Sequence, residues 1–272
     1  MTNLLDVQNY WQEHPLHSYE LCELGTPQFF ENLDCIKRND IEKFALPFFA
    51  FTSFRGKKVL DAGCGPGWFT IQYALGSAEV TAVDLTPRAV ELTLQHLAYK
   101  KLAANVREAN IENLPFEDES FDLVISLGVL HHTPKITLAL HECFRVLKSG
   151  GQAKIALYHK GILHQPLIFK LMQQVMRLLG VKHPGADLSR TARDVDEFIR
   201  QYDGIRNPVG IGKTTREWKG ELRQAGFKIK RHELHYFPRR FLPCQRWIPD
   251  FVHAILDRLF GALIYFDLVK PK

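Results

Sequence analysis

A chain of 272 residues, 46% hydrophobic and 24% charged, can bury a sizeable core, which excludes a disordered polymer and fits one large domain or one domain with an appendage. Its five cysteines (Cys22, Cys35, Cys64, Cys143, Cys244) are widely spaced, odd in number and without a Cys-x-x-Cys pair, so neither a disulfide scaffold nor a cysteine-based zinc site is expected and the setting is read as cytoplasmic. The net charge of +5 is uneven: from Ile205 onward 14 Lys/Arg stand against 6 Asp/Glu, a local +8, while the preceding 204 residues carry −3. Such a tail suits a solvated face, an anionic substrate, nucleic acid or a membrane surface.

The N-terminus, MTNLLDVQNYWQEHP, has no basic start followed by an apolar run, so no secretory signal is expected. Residues 1–50 read as an N-terminal helical lid. Across 51–160 the β-branched runs KKVLDAG, AEVTAVDL, ANVREAN, FDLVISLG and GQAKIALYH alternate with helical patterns, the mark of βαβ units and a doubly wound α/β fold with a parallel sheet. Thr86-Pro87 and Thr133-Pro134 each place a capping hydroxyl before a helix-starting proline. Val90, Leu94, Leu97 and Leu102 predict a core-facing stripe, and Ser149-Gly150-Gly151 a helix end before the fifth strand. Residues 161–206, with PLIFKLMQQVMRLLG, read as a helical insertion covering the domain. Over 207–242, TTREWKGELRQAGF predicts a helix and FKIKRHELHYF a hairpin pair of strands.

Residues 243–272 are expected as an amphipathic C-terminal helix. Phe251 to Phe266 is apolar apart from His253, Asp257, Arg258 and Gly261 on one narrow stripe, and Asp257 and Arg258 at its centre exclude a membrane span. The helix docks on the domain, forms a homodimer, or lies in a membrane interface as a peripheral contact. Arg239, Arg240 and Arg246 among Phe237, Phe241 and Trp247 form a basic and aromatic patch. No nucleic-acid recognition module accompanies it, so nucleic acid is not an expected partner.

The strongest local signal is Val59-Leu60-Asp61-Ala62-Gly63-Cys64-Gly65-Pro66-Gly67, an apolar strand ending in an acid and running through three glycines into a helix. Glycines let a backbone approach a ligand without a Cβ clash. A dinucleotide fingerprint needs glycine where Trp68 stands. Asp61 would repel a pyrophosphate but accept from a cationic amino group, which suits an amino-acid-bearing nucleoside. Asp84, at the end of the second strand 17 residues beyond Gly67, can accept from both ribose hydroxyls.

With these motifs, the chain resembles the class I S-adenosylmethionine-dependent methyltransferases, the broad group that includes the ubiquinone and menaquinone biosynthesis enzymes. The resemblance covers about residues 55 to 160. It is carried further by Asn110 to Phe116, Phe121 to Ser126, Leu130-His131-His132 and Arg145 to Gly151. It implies a Rossmann-like seven-stranded sheet with the last strand antiparallel, and S-adenosylmethionine as cofactor, leaving as S-adenosylhomocysteine. Carried over by position, Asp61, Gly63, Cys64, Gly65 and Gly67 hold the methionine end, and Asp84 with Leu85 the ribose. Asn110, standing where the family usually has Asp, and Ile111 meet the adenine edge. Ser126 and Leu127, followed by Gly128, flank the methionine part, and Leu130 and His131 begin the acceptor wall. Tyr10 and Trp11 lie in a segment that in related enzymes folds over the donor, where an aromatic on a sulfonium gains about 0.5 to 2 kcal/mol; a plain hydrophobic anchor is the other reading.

His131, Tyr158 and His159 are the candidate catalytic residues, able to orient or deprotonate an acceptor, with structural packing as the alternative for each. Adjacent His131 and His132 point apart and no His/Asp/Glu partner follows at metal spacing, so no metal is expected. The expected activity is methyl transfer to an O, N or C atom of a small organic acceptor, hydrophobic and quinone- or natural-product-like if the membrane reading holds. The alternative is a non-catalytic donor-binding or membrane-associated assembly protein with this fold.

Overall fold

The computed structural model describes residues 3–15, 22–178, 192–237 and 247–272. In chain order these form α1 (Leu4–Glu13), α2 (Pro27–Ile36) with a π-helical turn (Lys37–Ile41), α3 (Ala45–Phe49), β1 (Lys58–Ala62), α4 (Trp68–Leu75), β2 (Glu79–Asp84), α5 (Pro87–Lys100), β3 (Asn105–Glu108), β4 (Phe121–Leu127), α6 (Ile136–Arg145), β5 (Leu147–Tyr158), α7 (Pro166–Leu178), α8 (Val195–Arg200), α9 (Thr215–Gln224), β6 (Lys228–His235), α10 (Asp250–Phe260) and β7 (Leu263–Val269). The strands make one seven-stranded sheet in the order β3-β2-β1-β4-β5-β7-β6. β7 alone runs antiparallel, paired with β5 on one side and β6 on the other, as the resemblance implies. Among the described residues no helix is long and apolar enough to cross a membrane.

Central strands of a parallel sheet are covered on both faces and so read as continuous apolar runs. Here Leu60, Ala62, Val124 and Ile155 pack with Ile136, Leu140 and Cys143 of α6 and Trp218 and Leu222 of α9. Val59, Leu123, Ile125 and Ala156 face the other way, onto Trp68, Phe69 and Tyr73 of α4 and onto Phe29, Phe30, Leu33, Phe48 and Phe49. The aromatic residues of α2 and α3 are therefore domain core, and within 1–50 it is α1, with Pro15 and Lys37, that reaches the cleft described below.

Several local expectations are corrected. Phe251 to Phe266 is not one helix: Gly261 separates α10 from β7, whose residues Ile264, Tyr265 and Phe266 are buried in the sheet. FKIKRHELHYF supplies the single strand β6, whose partner is β7 rather than an adjacent hairpin arm. Thr86 caps α5 by accepting from Ala89 N–H, but Thr133 donates to Leu130 carbonyl at 2.8 Å and α6 begins at Ile136 without a side-chain cap. Leu94 is exposed; the buried face of α5 is Ala89, Leu92, Thr93, His96 and Leu97. Ser149-Gly150-Gly151 lies inside β5, at its irregularity against β4. Of the basic and aromatic patch, Phe237 and Trp247 are described, while Arg239, Arg240, Phe241 and Arg246 lie outside the described residues.

Candidate functional site

Open parallel sheets bind ligands beyond the carboxyl ends of their strands, where the strand order reverses. At that place a cleft of about 1210 Å³, partly open to solvent, is lined by the ends of β1, β2 and β4, the Asn110 loop and α1. The turn from β1 to α4 carries Gly63, Gly65 and Gly67 at φ +91°, +51° and +79°, values that only glycine adopts cheaply. Gly63 and Cys64 N–H donate to Val83 carbonyl at 2.8 and 3.0 Å, fastening the turn to β2.

The glycines divide by what surrounds them. A Cβ on Gly63 would lie 2.4 Å from Val129 Cγ2, and one on Gly67 2.9 Å from Thr93 Oγ1. At Gly65 and at Gly128, whose φ is +76°, a Cβ would meet nothing within 4 Å. Both line the cleft, so the backbone leaves room there for a ligand. Gly63→Ala is expected to cost about 3 kcal/mol or more of stability, from left-handed strain and overpacking together. Gly65→Ala is expected to cost only the strain, about 1 kcal/mol, yet to lower nucleoside affinity about tenfold; denaturant unfolding and calorimetric titration read the two effects separately.

Two carboxylates face this cradle. Asp61, buried at the end of β1, accepts from Thr70 Oγ1 at 2.6 Å. Burial pushes its carboxyl up to about 7, opposed by the Thr70 hydrogen bond and aided by the Asp84 charge. A buried carboxyl so poised is stabilised in its charged form by an ammonium partner. Asp84 Oδ2 accepts from Gly65 N–H at 3.0 Å, and Oδ1 from Thr86 N–H at 3.0 Å and Thr86 Oγ1 at 3.1 Å. Burial raises its carboxyl too, against those hydrogen bonds. The carboxylate is thereby locked in orientation, with Oδ1 already accepting twice and Oδ2 keeping the freer lone pair toward a diol.

Leu85, Asn110 and Ile111 line the same cleft. Asn110 Oδ1 accepts from Glu112 N–H at 2.9 Å, which fixes the loop by a local turn and leaves its second lone pair for an amino group. The Cys64 thiol also faces the cleft; burial beside Asp84 and Asp61 pushes it well above its ordinary range, so it is an inert filler. Lys37 is a cleft residue that sequence reasoning missed. It is buried on the π-helical turn, with Nζ 3.3 Å from Glu42 Oε1, and only the folding of α2 against the sheet brings it there.

The remaining expected residues divide. Trp11 and Leu127 line the cleft. Ser126 does not: it is buried in β4 and donates to Ala62 carbonyl at 2.8 Å, tying β4 to β1. Tyr10 does not line it either; its hydroxyl donates to Asp203 backbone carbonyl and its ring stacks on His14 at 4.7 Å. His131 is fully buried behind the wall with its ring 3.8 Å from that of Tyr158. Burial and the neighbouring His132 hold it well below the ordinary histidine range, so it stays neutral. His159 sits between Gly261 carbonyl, 3.3 Å from Nδ1, and Thr215 Oγ1, 3.2 Å from Nε2, and fastens the end of β5. None of the three candidate catalytic side chains lines the cleft.

His132 does. The turn Leu130–His132 is a short 3-10 helix, and contrary to the expectation that the two histidines point apart, their rings lie 4.3 Å from one another, with only His132 reaching the cleft. His132 Nε2 is 3.1 Å from Asp203 Oδ2 and Nδ1 is 2.6 Å from Val209 carbonyl. Tyr158, whose hydroxyl burial and the Asp203 charge push well above its ordinary range, donates to the same Asp203 oxygen. The Trp11 ring meets His132 edge-on at 4.9 Å. Trp11 and His132 thus line the cleft and connect to Asp203 and Tyr158, which do not line it; Asp203 had no local sequence signal.

Comparison with known proteins matches residues 60–155 to a methyltransferase domain. The chain is 34% identical over 193 residues to a malonyl-[acyl-carrier protein] O-methyltransferase of Erwinia billingiae, covering 66% of this chain and 73% of that one. It is 28% identical over 194 residues to a ubiquinone biosynthesis O-methyltransferase of Alkalilimnicola ehrlichii, covering 65% and 76%. A solved SAM-dependent methyltransferase of Methanosarcina mazei shares the fold at 20% identity, with a TM-score of 0.55 over 83% of this chain and 97% of that one. With the strand order, the glycine cradle and the two carboxylates, these likenesses place the chain among the class I S-adenosylmethionine-dependent methyltransferases, as an enzyme whose methyl donor is S-adenosylmethionine.

Proposed function

We propose that this enzyme transfers the methyl group to an oxygen atom of a small organic acceptor held against Trp11 and His132, the latter positioned by Asp203. What supports this is a juxtaposition: the Asp61 and Asp84 carboxylates and the open floor at Gly65 and Gly128 share one cleft with His132 and Trp11. The two relatives described above are both named as O-methyltransferases. Asp61 holds the donor's amino group, Lys37 its carboxylate, Asp84 the ribose hydroxyls, and Asn110 with Ile111 the adenine edge. When bound, the donor supplies a methyl group on a sulfonium, open to direct displacement. The chain's own contribution is to align acceptor with donor and to exclude water, which can supply several kcal/mol of the barrier without a general base.

Asp203 is a positioning residue in this account, holding His132 and Tyr158 at once. His132 and Tyr158 both bond the one oxygen Oδ2, so Asp203→Ala removes both hydrogen bonds at once. The expected result is a fall in kcat/KM of about 10- to 100-fold with donor affinity unchanged, and a shifted pH profile of kcat. Unchanged turnover would remove Asp203 from the account. The reading itself is tested by incubating the enzyme with isotopically labelled S-adenosylmethionine and pools of phenols, catechols and carboxylic acids. Labelled ethers or esters are expected; label found only on nitrogen or carbon would overturn it.

A further inference from the structure

On α10 two polar side chains face the protein: His253 Nε2 lies 2.7 Å from Phe237 carbonyl, and Asp257 bonds His235 Nδ1 at 2.6 Å and Phe237 N–H at 2.8 Å. Its outer face carries Phe251, Ala254, Ile255 and Leu259, with Phe251 69%, Ile255 55% and Leu259 58% exposed. α7 repeats the pattern, with Leu167 83% and Leu171 60% exposed one turn apart and Val175 and Leu178 continuing the stripe. Trp247, just before α10, is 86% exposed. An amphipathic helix whose apolar face points outward needs a covering partner.

The two helices leave the same corner of the sheet. His159, which leads toward α7, donates its N–H to Ala262 carbonyl at 2.8 Å, directly after α10. The adjoining Tyr158 bonds Asp203, which in turn bonds the cleft residue His132, so the corner is one residue removed from the proposed acceptor site. Its exposed charge leans basic, although Asp196, 76% exposed and paired with Lys160, places an acid at the corner. The exposed positions of α7 and α10 carry Lys170, Arg177 and Arg258 against Asp250 alone, and residues 238–246 contribute three arginines and no acid to the sequence.

We propose that α7, α10 and Trp247 dock on the surface of an anionic phospholipid bilayer. Apolar side chains enter the headgroup boundary while the flanking lysine and arginines meet lipid phosphates, the combination that holds interfacial helices. Two neighbouring helices with outward apolar stripes and flanking cations are the combination that an anionic lipid surface covers.

The test is flotation of the full-length protein with vesicles of equal parts phosphatidylcholine and phosphatidylglycerol, against vesicles of phosphatidylcholine alone. Binding to the anionic vesicles is expected at least about tenfold above the neutral ones, weakening with added salt. The triple variant Phe251→Ser, Ile255→Ser, Leu259→Ser alters outward side chains only; it is expected to lose about tenfold or more in vesicle affinity, with melting temperature and donor affinity unchanged. Trp247 emission is expected to shift to the blue on adding anionic vesicles, and the shift to vanish in Trp247→Phe. Wild-type protein that stays off anionic vesicles, or a triple variant that floats equally well, would overturn the proposal. So would a wild-type dimer that the triple variant converts to monomer while neither binds lipid.

Discussion

Replacing Asp84 by alanine is expected to weaken S-adenosylmethionine binding about a thousandfold. Two hydrogen bonds from ribose hydroxyls to a buried carboxylate are each worth about 1.5 to 3 kcal/mol, and every 1.4 kcal/mol is tenfold in affinity. The same carboxylate orders the cradle through Gly65 N–H, Thr86 N–H and Thr86 Oγ1. Its loss therefore also frees the loop on which the ligand lies. Asp84→Asn separates the roles: the amide oxygen keeps one set of these bonds, while the amide nitrogen cannot accept from a hydroxyl or an N–H. Its donor affinity is expected to fall nearly as far as in the alanine variant, with less loss of stability. Calorimetric titration with S-adenosylmethionine and thermal unfolding of the three proteins check this; wild-type affinity in either variant would contradict the ribose assignment.

Asp61→Asn is expected to stabilise the empty protein and disable it together. The Asp61 carboxyl is pushed up to about 7 from an ordinary 3.8, chiefly by burial, so the folded chain binds this proton more tightly than the unfolded chain. The stability it contributes is complete below about pH 4 and is lost as pH rises to about 7, amounting to about 4 kcal/mol at the alkaline limit. Asparagine keeps an oxygen for Thr70 without carrying the charge, so at pH 8 the empty variant is expected to melt about 10 °C higher. Donor binding runs the other way. The ammonium of the donor requires the ionised carboxylate, so wild-type affinity is expected to fall about tenfold per pH unit below about 7, while the variant binds at least about a hundredfold more weakly and without that pH dependence. Titrations across this range decide it; a flat wild-type profile would show that Asp61 is not the ammonium's partner.

The glycine cradle and its two carboxylates were legible because their signals are local. Positive φ at Gly63, Gly65 and Gly67 and acids at the ends of β1 and β2 are written within a few residues of where they act. Periodicity failed where polar groups took core positions. On α5, Thr93 and His96 are buried because Thr93 Oγ1 bonds Gly65 carbonyl at 2.8 Å and His96 Nδ1 lies 2.9 Å from Pro66 carbonyl, leaving Leu94 outside. The apolar run Leu263 to Phe266 suits a helix or a buried strand equally, and only pairing with β5 and β6 chooses the strand.

The side of the cleft at Trp11 and His132 was the less legible half. Which of two adjacent histidines faces the cleft depends on a single 3-10 turn, and His132 prevails because Asp203 and Val209, more than seventy residues away, receive its ring nitrogens. Lys37 likewise reaches the cleft only through the packing of α2. Such placements are properties of the assembled fold, without a spacing rule in the chain.

The most direct test of the account is a crystal structure with S-adenosylhomocysteine bound. The ligand is expected across the ends of β1, β2 and β4, with its amino group on Asp61, its ribose hydroxyls on Asp84, its adenine beside Ile111 and its sulfur turned toward Trp11 and His132. Ligand bound in that cleft without contact to Asp61 and Asp84, or bound elsewhere on the protein, would contradict it.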